Sequence, residues 1–327
     1  MRFLVTGAAG FVGNNLVRLL LDRGHDVRVL TRATSDPRPL AGLNVQRVEG
    51  DLLDAASLAA AVSGVDVVVN SAGWVHIGDC GWEQARRVNV DGARAVAQAA
   101  AKAGAKLVHV SSINAIGIGT KERPADETHA LPQPYAPPYV VTKREGDAAV
   151  LAEVANGLWA AIVYPGFMLG PWDWKPSSGK MLLEVTKQFI PLWPVGGHSL
   201  CDVRDVCDGI LAAAERGRSG ERYILGGENI SYRDTWRKFC ALTGQKESSV
   251  PLGPIAQAVL CPAARAINFF RRTETEFNST ALLMSAQLHY ASSAKAQREL
   301  GYRYRPCDDT IRDTWNWFRE HGYVTGK

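Results

Sequence analysis

The first half of the chain alternates short, nearly continuous apolar runs with longer segments in which apolar residues recur at helical spacing. Runs of this kind, rich in Val, Ile and Leu, are typical of strands that are covered on both faces of a parallel sheet. We predict strands over residues 3–6, 26–31, 45–49, 66–70, 106–111 and 159–164.

The intervening segments carry the apolar stripe of amphipathic helices. Val12, Leu16 and Leu20 share one helical face, and Gly24 stands where a glycine commonly ends a helix. The alternation of strand and helix predicts an α/β fold with a doubly wound parallel sheet of the Rossmann type. Two longer helices are predicted over residues 84–103 and 139–155.

The pattern changes after residue 165. Trp, Pro and Gly become dense over residues 165–197, and strand-like runs become sparse. We predict a dinucleotide-binding Rossmann core over residues 1–165, to which segments around 198–225 return. Residues 166–327 are predicted to form mainly a smaller, C-terminal substrate-binding region.

Composition narrows the class of protein. Hydrophobic residues make up 46% of the chain and charged residues 21%, and the formal net charge is +4 without a basic block. These values indicate a globular protein and argue against a nucleic-acid partner. The six cysteines form no C-x-x-C pair and show no metal-ligand spacing with histidine. We therefore expect no metal site and reduced thiols.

The sequence also argues against a membrane partner. No apolar run approaches the length of about 18 residues that a span requires, and the N-terminus lacks the pattern of a secretory signal. The most apolar stretch, residues 255–270, is interrupted by Pro262, Arg265 and Asn268. We interpret it as a packed helix or a pocket wall, and we expect a cytoplasmic location.

A glycine-rich turn follows the first predicted strand. Gly7, Gly10 and Gly13 are spaced G-x-x-G-x-x-G, and Phe11 and Val12 open the helix that follows. Such glycines permit a tight turn, let the backbone approach a pyrophosphate and let the helix pack closely on the strand. The alternative is a merely tight strand–helix turn, but the strand–glycine–helix context favours dinucleotide binding.

The end of the second strand bears on the choice of dinucleotide. An acidic residue there would bind the ribose 2′-hydroxyl of NAD, but the chain has Thr31 followed by Arg32. A guanidinium can bind a 2′-phosphate through two hydrogen bonds. We therefore expect NADP(H) in preference to NAD(H). The alternative is that Arg32 is only a solvated loop charge.

Two further strand ends carry candidate cofactor contacts. Asp51 could accept a hydrogen bond from the adenine amino group while Leu52 covers the ring, although a turn cap explains Asp51 nearly as well. Ser71, Ala72 and Gly73 are small enough for the backbone to run beside the ribose and pyrophosphate. An ordinary glycine turn is the alternative for these three residues.

Candidate chemistry lies at the start of the helix predicted from residue 139. Tyr139 and Lys143 are four residues apart and therefore share a helix face. A nearby ammonium favours the phenolate and lowers the pKa of a tyrosine. Ser111 and Ser112 end the fifth strand, at the edge where such sheets bind ligands. A serine hydroxyl there can orient a carbonyl oxygen that Tyr139 protonates, or it can cap the strand end.

The motifs TGAAGFVG, VNVDG, HVSS, YVVTK and YPGFMLGP together resemble the extended short-chain dehydrogenase/reductase superfamily. The resemblance covers nearly the whole chain and is strongest to the dihydroflavonol-4-reductase-like and NAD-dependent epimerase/dehydratase branch. It implies the catalytic hydroxyl on Ser112, the acid/base on Tyr139 and the ribose-holding cation on Lys143. It also implies that Pro165 lines the nicotinamide pocket and that Arg32 binds the 2′-phosphate.

Two departures from the family pattern bear on the reaction. Tyr164 stands where many relatives have arginine. Family dehydratases often carry Thr-Asp-Glu at the hydroxyl position, whereas this chain has Ser112, Ile113 and Asn114. The missing carboxyl groups disfavour a 4,6-dehydratase reaction. Asn114 then becomes a candidate substrate contact, with a simple turn residue as the alternative.

The substrate side gives weaker indications. Phe167 and Met168 belong to an aromatic, apolar segment that suits an apolar or planar substrate, although such residues are also ordinary core material. A sugar diphosphate needs cationic anchors, and no arginine occurs between Arg144 and Arg204, which leaves Lys175 and Lys180 as candidates.

We therefore predict an NADP(H)-dependent oxidoreductase that reduces a ketone or aldehyde, with NAD(H) as the second cofactor choice. The rival enzyme is a nucleotide-sugar epimerase that retains its dinucleotide, and the non-catalytic rival is a dinucleotide-binding sensor. The partner is expected to be a small-molecule carbonyl or hydroxyl substrate. A homodimer through the helices at 11–21 or 88–103 is the remaining partner hypothesis.

Overall fold

The computed structural model describes residues 1–187, 189, 191–247, 249–271, 274–275 and 278–324. The strands are β1 (Arg2–Thr6), β2 (Asp26–Thr31), β3 (Gln46–Glu49), β4 (Val67–Asn70), β5 (Lys106–Val110), β6 (Ala160–Pro165), β7 (Phe167–Leu169), β8 (Leu192–Pro194), β9 (Gly197–Asp202), β10 (Arg222–Leu225), β11 (Glu228–Ser231), β12 (Val250–Leu252) and β13 (Leu288–His289).

The helices are α1 (Phe11–Asp22), α2 (Ala55–Val62), α3 (Trp82–Arg86), α4 (Gly92–Ala103), α5 (Ile113–Ile116), α6 (Pro138–Ala155), α7 (Lys180–Lys187), α8 (Val203–Arg216), α9 (Tyr232–Thr243), α10 (Pro254–Arg271), α11 (Ser279–Met284), α12 (Ala294–Leu300) and α13 (Cys307–Glu320). A 3-10 turn spans Arg38–Leu40, and a π-helical turn, Arg87–Asp91, joins α3 to α4.

The large sheet has the strand order β10-β6-β5-β4-β1-β2-β3 and is parallel throughout. The chain runs outward from β1 to β3, returns to β4 beside β1, and then runs outward in the other direction. This reversal creates a switch point between β1 and β4, where doubly wound sheets bind ligands. The predicted Rossmann fold is confirmed, and the observed bounds of the six predicted strands differ from the predicted ones by at most one residue.

Apolar layers cover both faces of the large sheet. Phe3 points into the layer formed with α1 and α8, and the adjacent Leu4 points into the layer formed with α2, α4 and α6. Both side chains are fully buried. Because successive strand residues point to opposite faces, a strand buried on both sides favours apolar residues at most of its positions. This preference explains the nearly continuous apolar runs.

The later part of the chain contributes both to the large sheet and to smaller ones. β10 joins the edge of the large sheet beside β6, and α8 packs against α1. β7, β9, β11 and β13 form a separate mixed sheet, and β8 pairs with β12. A third apolar cluster, which includes Leu182, Phe239 and Trp317, fills the space between this small sheet and helices α7, α9 and α13.

The stretch 255–270 forms a helix, α10, but it is not packed over most of its length. Cys261 and Ala264 are its buried residues, whereas Ile255, Phe269 and Phe270 are exposed. The expectation of a packed helix is therefore wrong for most of these side chains. In the part of the chain that the structure describes, no helix is long and apolar enough to cross a membrane.

Candidate active site

The glycine turn after β1 packs against the end of β4. Gly7 has a φ of +67°, and a Cβ at this residue would lie 2.6 Å from the amide nitrogen of Ala72. A Cβ at Gly13 would overlap the carbonyl oxygen of Gly7. A side chain at either position would therefore push the turn away from the sheet. The result is a cradle of bare backbone at the switch point, which fits a pyrophosphate group.

The start of α1 faces this cradle. Gly10 occupies the N-cap position, and Phe11 and Val12 open the helix. Glycine has no side chain with which to cap the first amide groups, so these N–H groups and the helix dipole remain directed toward the sheet edge. Asn14, one turn further along, donates from Nδ2 to the carbonyl oxygen of Gly10 at 2.7 Å and holds the turn in shape.

Arg32 lies at the same edge, one residue after β2. Its side chain is exposed, and its backbone forms a turn with Ser35, whose hydroxyl accepts from the Arg32 amide at 3.1 Å. Within the described ranges, no carboxylate lies within ion-pair distance of this guanidinium. The guanidinium is thus exposed at the end of β2, the strand next to β1.

The ends of β3 and β4 complete the cradle. The carboxylate of Asp51 accepts from the amide of Leu53 at 3.0 Å, which is the turn cap given as the alternative role of this residue. Leu52 is half-buried and packs near Gly92. Ser71 donates from Oγ to the carbonyl oxygen of Thr6 at 2.7 Å and ties β4 to β1.

Gly73 links the cradle to the chemical groups. A Cβ at Gly73 would lie 3.8 Å from Nζ of Lys143 and 3.6 Å from Oδ1 of Asn89. The loop after β4 therefore passes directly in front of the lysine ammonium.

The three groups expected to carry the chemistry meet at this edge. Tyr139 is the second residue of α6, and its phenol lies close enough to the Ser112 side chain for Ser112 to lower its pKa. Lys143, one turn further along α6, donates from Nζ to the carbonyl oxygen of Val110 at 2.8 Å. All three side chains are buried. The Y-x-x-x-K spacing thus places phenol and ammonium on the helix face that meets the ends of β4 and β5.

Burial sets the protonation of this trio. Burial raises the pKa of Tyr139, and the contact with Ser112 partly offsets that rise. The direction is opposite to the lowering expected from a neighbouring ammonium, because removal from water disfavours the phenolate more than these contacts favour it. Burial also lowers the pKa of Lys143 to about 8. At neutral pH the site therefore holds a neutral phenol and a lysine close to its titration range.

A buried carboxyl group lies behind the lysine. Asp147, four residues after Lys143 on α6, accepts from Ser111 Oγ at 2.9 Å, and the Tyr164 side chain lies near it. Its Oδ1 lies 3.6 Å from Nε2 of His109. Burial raises the pKa of Asp147 to about 6, although the nearby Lys143 opposes the rise, and burial holds the pKa of His109 well below its usual value.

Sequence analysis missed Asp147. The signal was the i, i+4 spacing after Lys143, which places both side chains on one helix face. Tyr164, noted only as a departure from the family pattern, is the partner of this carboxyl group. A cleft of about 370 Å³ borders Asp147 and Tyr164, with Arg144, Glu127 and Arg222 in its lining, so the carboxyl group lies close to solvent on this side of α6.

Asn89 connects the cradle to the tyrosine helix. Its Oδ1 accepts from the amide of Trp74 at 2.8 Å, and its Nδ2 donates to the Trp74 carbonyl oxygen and to Oγ1 of Thr142, both at 3.0 Å. The residue lies in the π-helical turn between α3 and α4. Such turns are common at functional sites because they shift a side chain out of the regular helical register.

An apolar wall surrounds the phenol. Tyr139 and Val140 cluster with Met284 from α11, and Ile77 and Ala136 pack against them. Ile77 belongs to the loop after Gly73, and Met284 comes from far along the chain. Sequence analysis did not find Ile77 or Met284, because no local pattern links them to residue 139.

The expected substrate residues are divided between two places. Asn114 is next to the site, since its amide donates to Ser112 Oγ at 3.3 Å. Phe167 and Met168 lie in β7, where Phe167 stacks on His198 with ring centroids 4.3 Å apart and Met168 packs against the apolar layer of α1 and α8. Lys175 is exposed in the loop before α7.

Pro165 is buried at the end of β6, opposite Leu225 of β10. The described contacts of Phe167 and Met168 are thus with the small sheet and the core. In the described residues, no group of three or more His, Cys, Asp or Glu side chains is placed to hold a metal ion.

A Rossmann sheet with a glycine turn and a Ser–Tyr–Lys trio at its carboxyl edge defines a class, the NAD(P)-dependent short-chain dehydrogenases/reductases. A model of the NAD dependent epimerase/dehydratase family matches residues 3–226. The chain therefore belongs to this family, within the extended short-chain dehydrogenases/reductases.

Relatives extend the similarity over the whole chain. A Synechocystis sp. protein, named provisionally as a dihydroflavonol 4-reductase, is 34% identical and covers 98% of this chain and 96% of its own. Sterol demethylase protein B of Methylococcus capsulatus is 34% identical, and the match covers 99% of this chain and 100% of that protein. A Stigmatella aurantiaca ketoreductase, named for 4-hydroxy-2-methyl-3-oxo-4-farnesyl-3,4-dihydroquinoline-1-oxide, is 31% identical, with 93% and 92% covered.

Solved structures agree with this assignment. The crystal structure of gox2253 superposes with a TM-score of 0.86 at 37% identity, over 99% of both chains. DesIV, a dTDP-glucose 4,6-dehydratase from Streptomyces venezuelae crystallised with NAD, superposes with a TM-score of 0.79 at 25% identity, over 98% and 97% of the chains. The chain is thus an oxidoreductase of a family whose members include reductases and sugar-modifying enzymes.

Proposed function

We propose that this protein is an NADPH-dependent reductase that converts a lipophilic ketone or aldehyde into an alcohol. The observation that carries the proposal is the convergence of three buried side chains, Tyr139, Ser112 and Lys143, beside a glycine cradle. Near the switch point between β1 and β4, a substrate carbonyl would meet a proton donor (Tyr139), a hydroxyl that orients its oxygen (Ser112) and a cation (Lys143).

The division of labour follows from these positions. When bound, the nicotinamide dinucleotide supplies the hydride that adds to the carbonyl carbon. The neutral phenol of Tyr139 gives its proton to the carbonyl oxygen, to which Ser112 donates a hydrogen bond. Lys143 holds a positive charge beside the phenolate that remains on Tyr139 and so stabilises it. Asp147 in turn favours the charged form of Lys143.

Several residues support the binding of a dinucleotide and the preference for NADPH. Arg32 is exposed at the edge beside the cradle, as binding of a 2′-phosphate requires, and Thr31 supplies no repelling carboxylate. The residues proposed to bind the cofactor are Gly7, Gly10, Phe11, Val12, Gly13, Arg32, Asp51, Leu52, Ser71, Ala72, Gly73, Tyr139, Lys143 and Pro165.

The lipophilic class of substrate rests on the wall around Tyr139. Met284, Ile77 and Ala136 offer carbon atoms rather than cations to whatever lies beside the phenol. Two of the relatives carry sterol and farnesyl groups in their names, which supports the same class of substrate. A sugar diphosphate would need cationic anchors, and the chain has no arginine between Arg144 and Arg204.

The test is a turnover assay with the purified protein. A panel of cyclic and isoprenoid ketones is incubated with NADPH or NADH, and nucleotide absorbance is followed. We expect net oxidation of NADPH with at least one apolar ketone, and binding of NADPH that is at least about tenfold tighter than that of NADH. Arg32→Gln should remove most of this preference while leaving NADH binding within about twofold.

The same assay separates the rival functions. An epimerase would retain nucleotide through purification, release it only on denaturation and show no net oxidation. A dinucleotide-binding sensor would bind NADPH but turn over none of the ketones. Tighter binding of NADH than of NADPH would contradict the cofactor assignment without affecting the assignment as a reductase.

A further inference from the structure

Helix α10 exposes an apolar face where an ordinary surface helix exposes a polar one. Ile255 is 86% exposed, Val259 68% and Phe270 82%. The buried residues of the helix are the small Cys261 and Ala264. Single exposed apolar residues are common, but a helix that exposes most of its large apolar side chains requires an explanation.

The exposed apolar residues form one continuous stripe. Ile255, Val259, Pro262, Ala266 and Phe270 follow at steps of four, three, four and four, which is the spacing of a single helix face. The helix has 18 residues, so the stripe extends over roughly 25 Å. Two neighbouring segments continue the apolar surface: Val250, in the strand just before α10, and Phe189, just before its partner strand β8, are also exposed.

The charged residues of α10 itself are all basic. Between Glu247 and Glu274 the sequence contains no Asp or Glu but has arginines at positions 265, 271 and 272. Arg265 and Arg271 are exposed on the helix, and Arg265 also donates to the Ser279 hydroxyl at 3.2 Å. Apolar side chains flanked by cations match the boundary between acyl chains and anionic headgroups.

Helix α10 packs on α11, the helix that borders the candidate active site. Gln257 of α10 donates from Nε2 to the carbonyl oxygen of Leu282 in α11 at 3.0 Å, and α11 ends at Met284, which packs beside Tyr139. Beyond the helix, Glu274 accepts from the amides of Asp79 at 2.8 Å and Cys80 at 3.0 Å, in the loop that follows Gly73. The stripe is therefore carried by elements that form the rim of the site.

From this placement we propose that the exposed face of α10 docks on the surface of an anionic lipid bilayer. The helix would lie in the interface without crossing the membrane, which departs from the sequence-based expectation of no membrane partner. The same face of a second copy is a poorer occupant, because it would bring its own Arg265 and Arg271 against those of the first copy. Docking would place the rim of the site against the bilayer, from which a lipophilic substrate could enter. This consequence rests on the lipophilic substrate proposed above.

The experiment is sedimentation of the full chain with sucrose-loaded vesicles. Vesicles of phosphatidylcholine alone are compared with vesicles that contain about 30 mol% phosphatidylglycerol, in the absence of cofactor and substrate. We expect the protein to sediment with the anionic vesicles and binding to weaken as salt is added. The double variant Phe269→Ser, Phe270→Ser should bind at least about tenfold more weakly.

Controls separate docking from folding and catalysis. Tyr304→Ser removes an exposed aromatic residue elsewhere and should leave vesicle binding unchanged. The double variant should keep the wild-type melting temperature and its turnover of a water-soluble ketone measured without vesicles. If the double variant does not fold, Ile255→Ser is used in its place. Failure to reduce any ketone would reject the proposed function and leave the vesicle result standing.

Two results would overturn the docking proposal. One is wild-type protein that remains in the supernatant with both kinds of vesicle. The other is a dimer in light scattering that the double variant converts to a monomer, which would assign the face to a second copy of the chain.

Discussion

Helices α6 and α10 each have 18 residues and begin at a proline. Both depart from the usual burial of apolar residues and exposure of charged ones, but in different ways. α6 buries ionisable groups, Tyr139, Lys143 and Asp147, whereas α10 exposes Ile255 and Phe270. Burial of an ionisable group and exposure of a large apolar group are both unfavourable in a free monomer. A departure from ordinary burial therefore indicates where function lies. Buried ionisable groups, as on α6, indicate chemistry, and an exposed apolar face, as on α10, indicates contact with a partner surface.

The largest effect expected on α6 is that of Tyr139→Phe. The change removes the proton donor and leaves the ring in its apolar wall, so we expect turnover to fall by about a thousandfold while NADPH affinity stays within about threefold. Steady-state kinetics and fluorescence titration measure the two quantities. Tyr135→Phe alters an exposed tyrosine just before the helix and should change neither. Full turnover in Tyr139→Phe would remove the phenol from the mechanism.

A matched pair of substitutions compares the packing of the two helices. Val150 of α6 is fully buried, whereas Val259 of α10 is 68% exposed. Val150→Ala should lower the free energy of unfolding by about 2 kcal/mol through the lost contacts and the cavity it leaves. Val259→Ala should change it by less than about 0.5 kcal/mol. Urea unfolding measures both, and equal effects would show that α10 is packed in solution.

Asp147→Asn tests the electrostatics behind the lysine. With the pKa of Asp147 raised to about 6 and that of Lys143 lowered to about 8, both groups are charged between these values. The lysine loses its proton as pH rises through 8, so turnover should decline there. Because the carboxylate raises the lysine pKa, its removal should move this decline about one unit lower. Below pH 6 the wild type and the variant should converge.

The pH profile of kcat decides this prediction. The groups that face Asp147 include Lys143 on its own helix, His109 and Ser111 from β5 and its end, Tyr164 from β6 and Arg222 from β10. Glu145→Gln, at a half-buried position on the same helix where the carboxylate pairs with Arg86, is the matched control and should leave the profile in place. An unshifted alkaline limb in Asp147→Asn would show that this carboxyl group only fills space.

The smallest expected effect is again on α10. Ala266→Ser places a hydroxyl on the exposed stripe, and in buffer the free energy of unfolding should stay within about 0.3 kcal/mol of wild type. With anionic vesicles, binding should weaken by about two- to threefold, because one polar group enters the apolar contact. A loss of stability in buffer would mean that the stripe is covered within the protein itself.

The sequence was most informative where structure is local. The central strands of the large sheet are mostly apolar because both faces are covered, and the bounds of the six predicted strands were predictable to within one residue. The turn at Gly7, Gly10 and Gly13 and the pair Tyr139 and Lys143 were visible because each lies within one or two helical turns. The π-helical turn was not visible, since its residues continue an ordinary helical pattern.

The remaining features depend on contacts between distant segments. Strands such as β7 and β13 have two or three residues, too few to show a periodicity. Met284 reaches Tyr139 across more than a hundred residues, so no spacing could reveal it. Residues 255–270 were recognised as apolar and helical, but periodicity identifies an apolar face without telling whether it points inward.

Asn89 has a consequence for anyone who wishes to redesign the protein. One amide side chain holds both the segment after Gly73 and the tyrosine helix, so the two halves of the site share a fixed reference point. Residues 75–80 and 279–284 lie outside that anchor and carry the groups that face the phenol. They can be varied in libraries that seek new substrates, provided that Asn89 is kept unchanged.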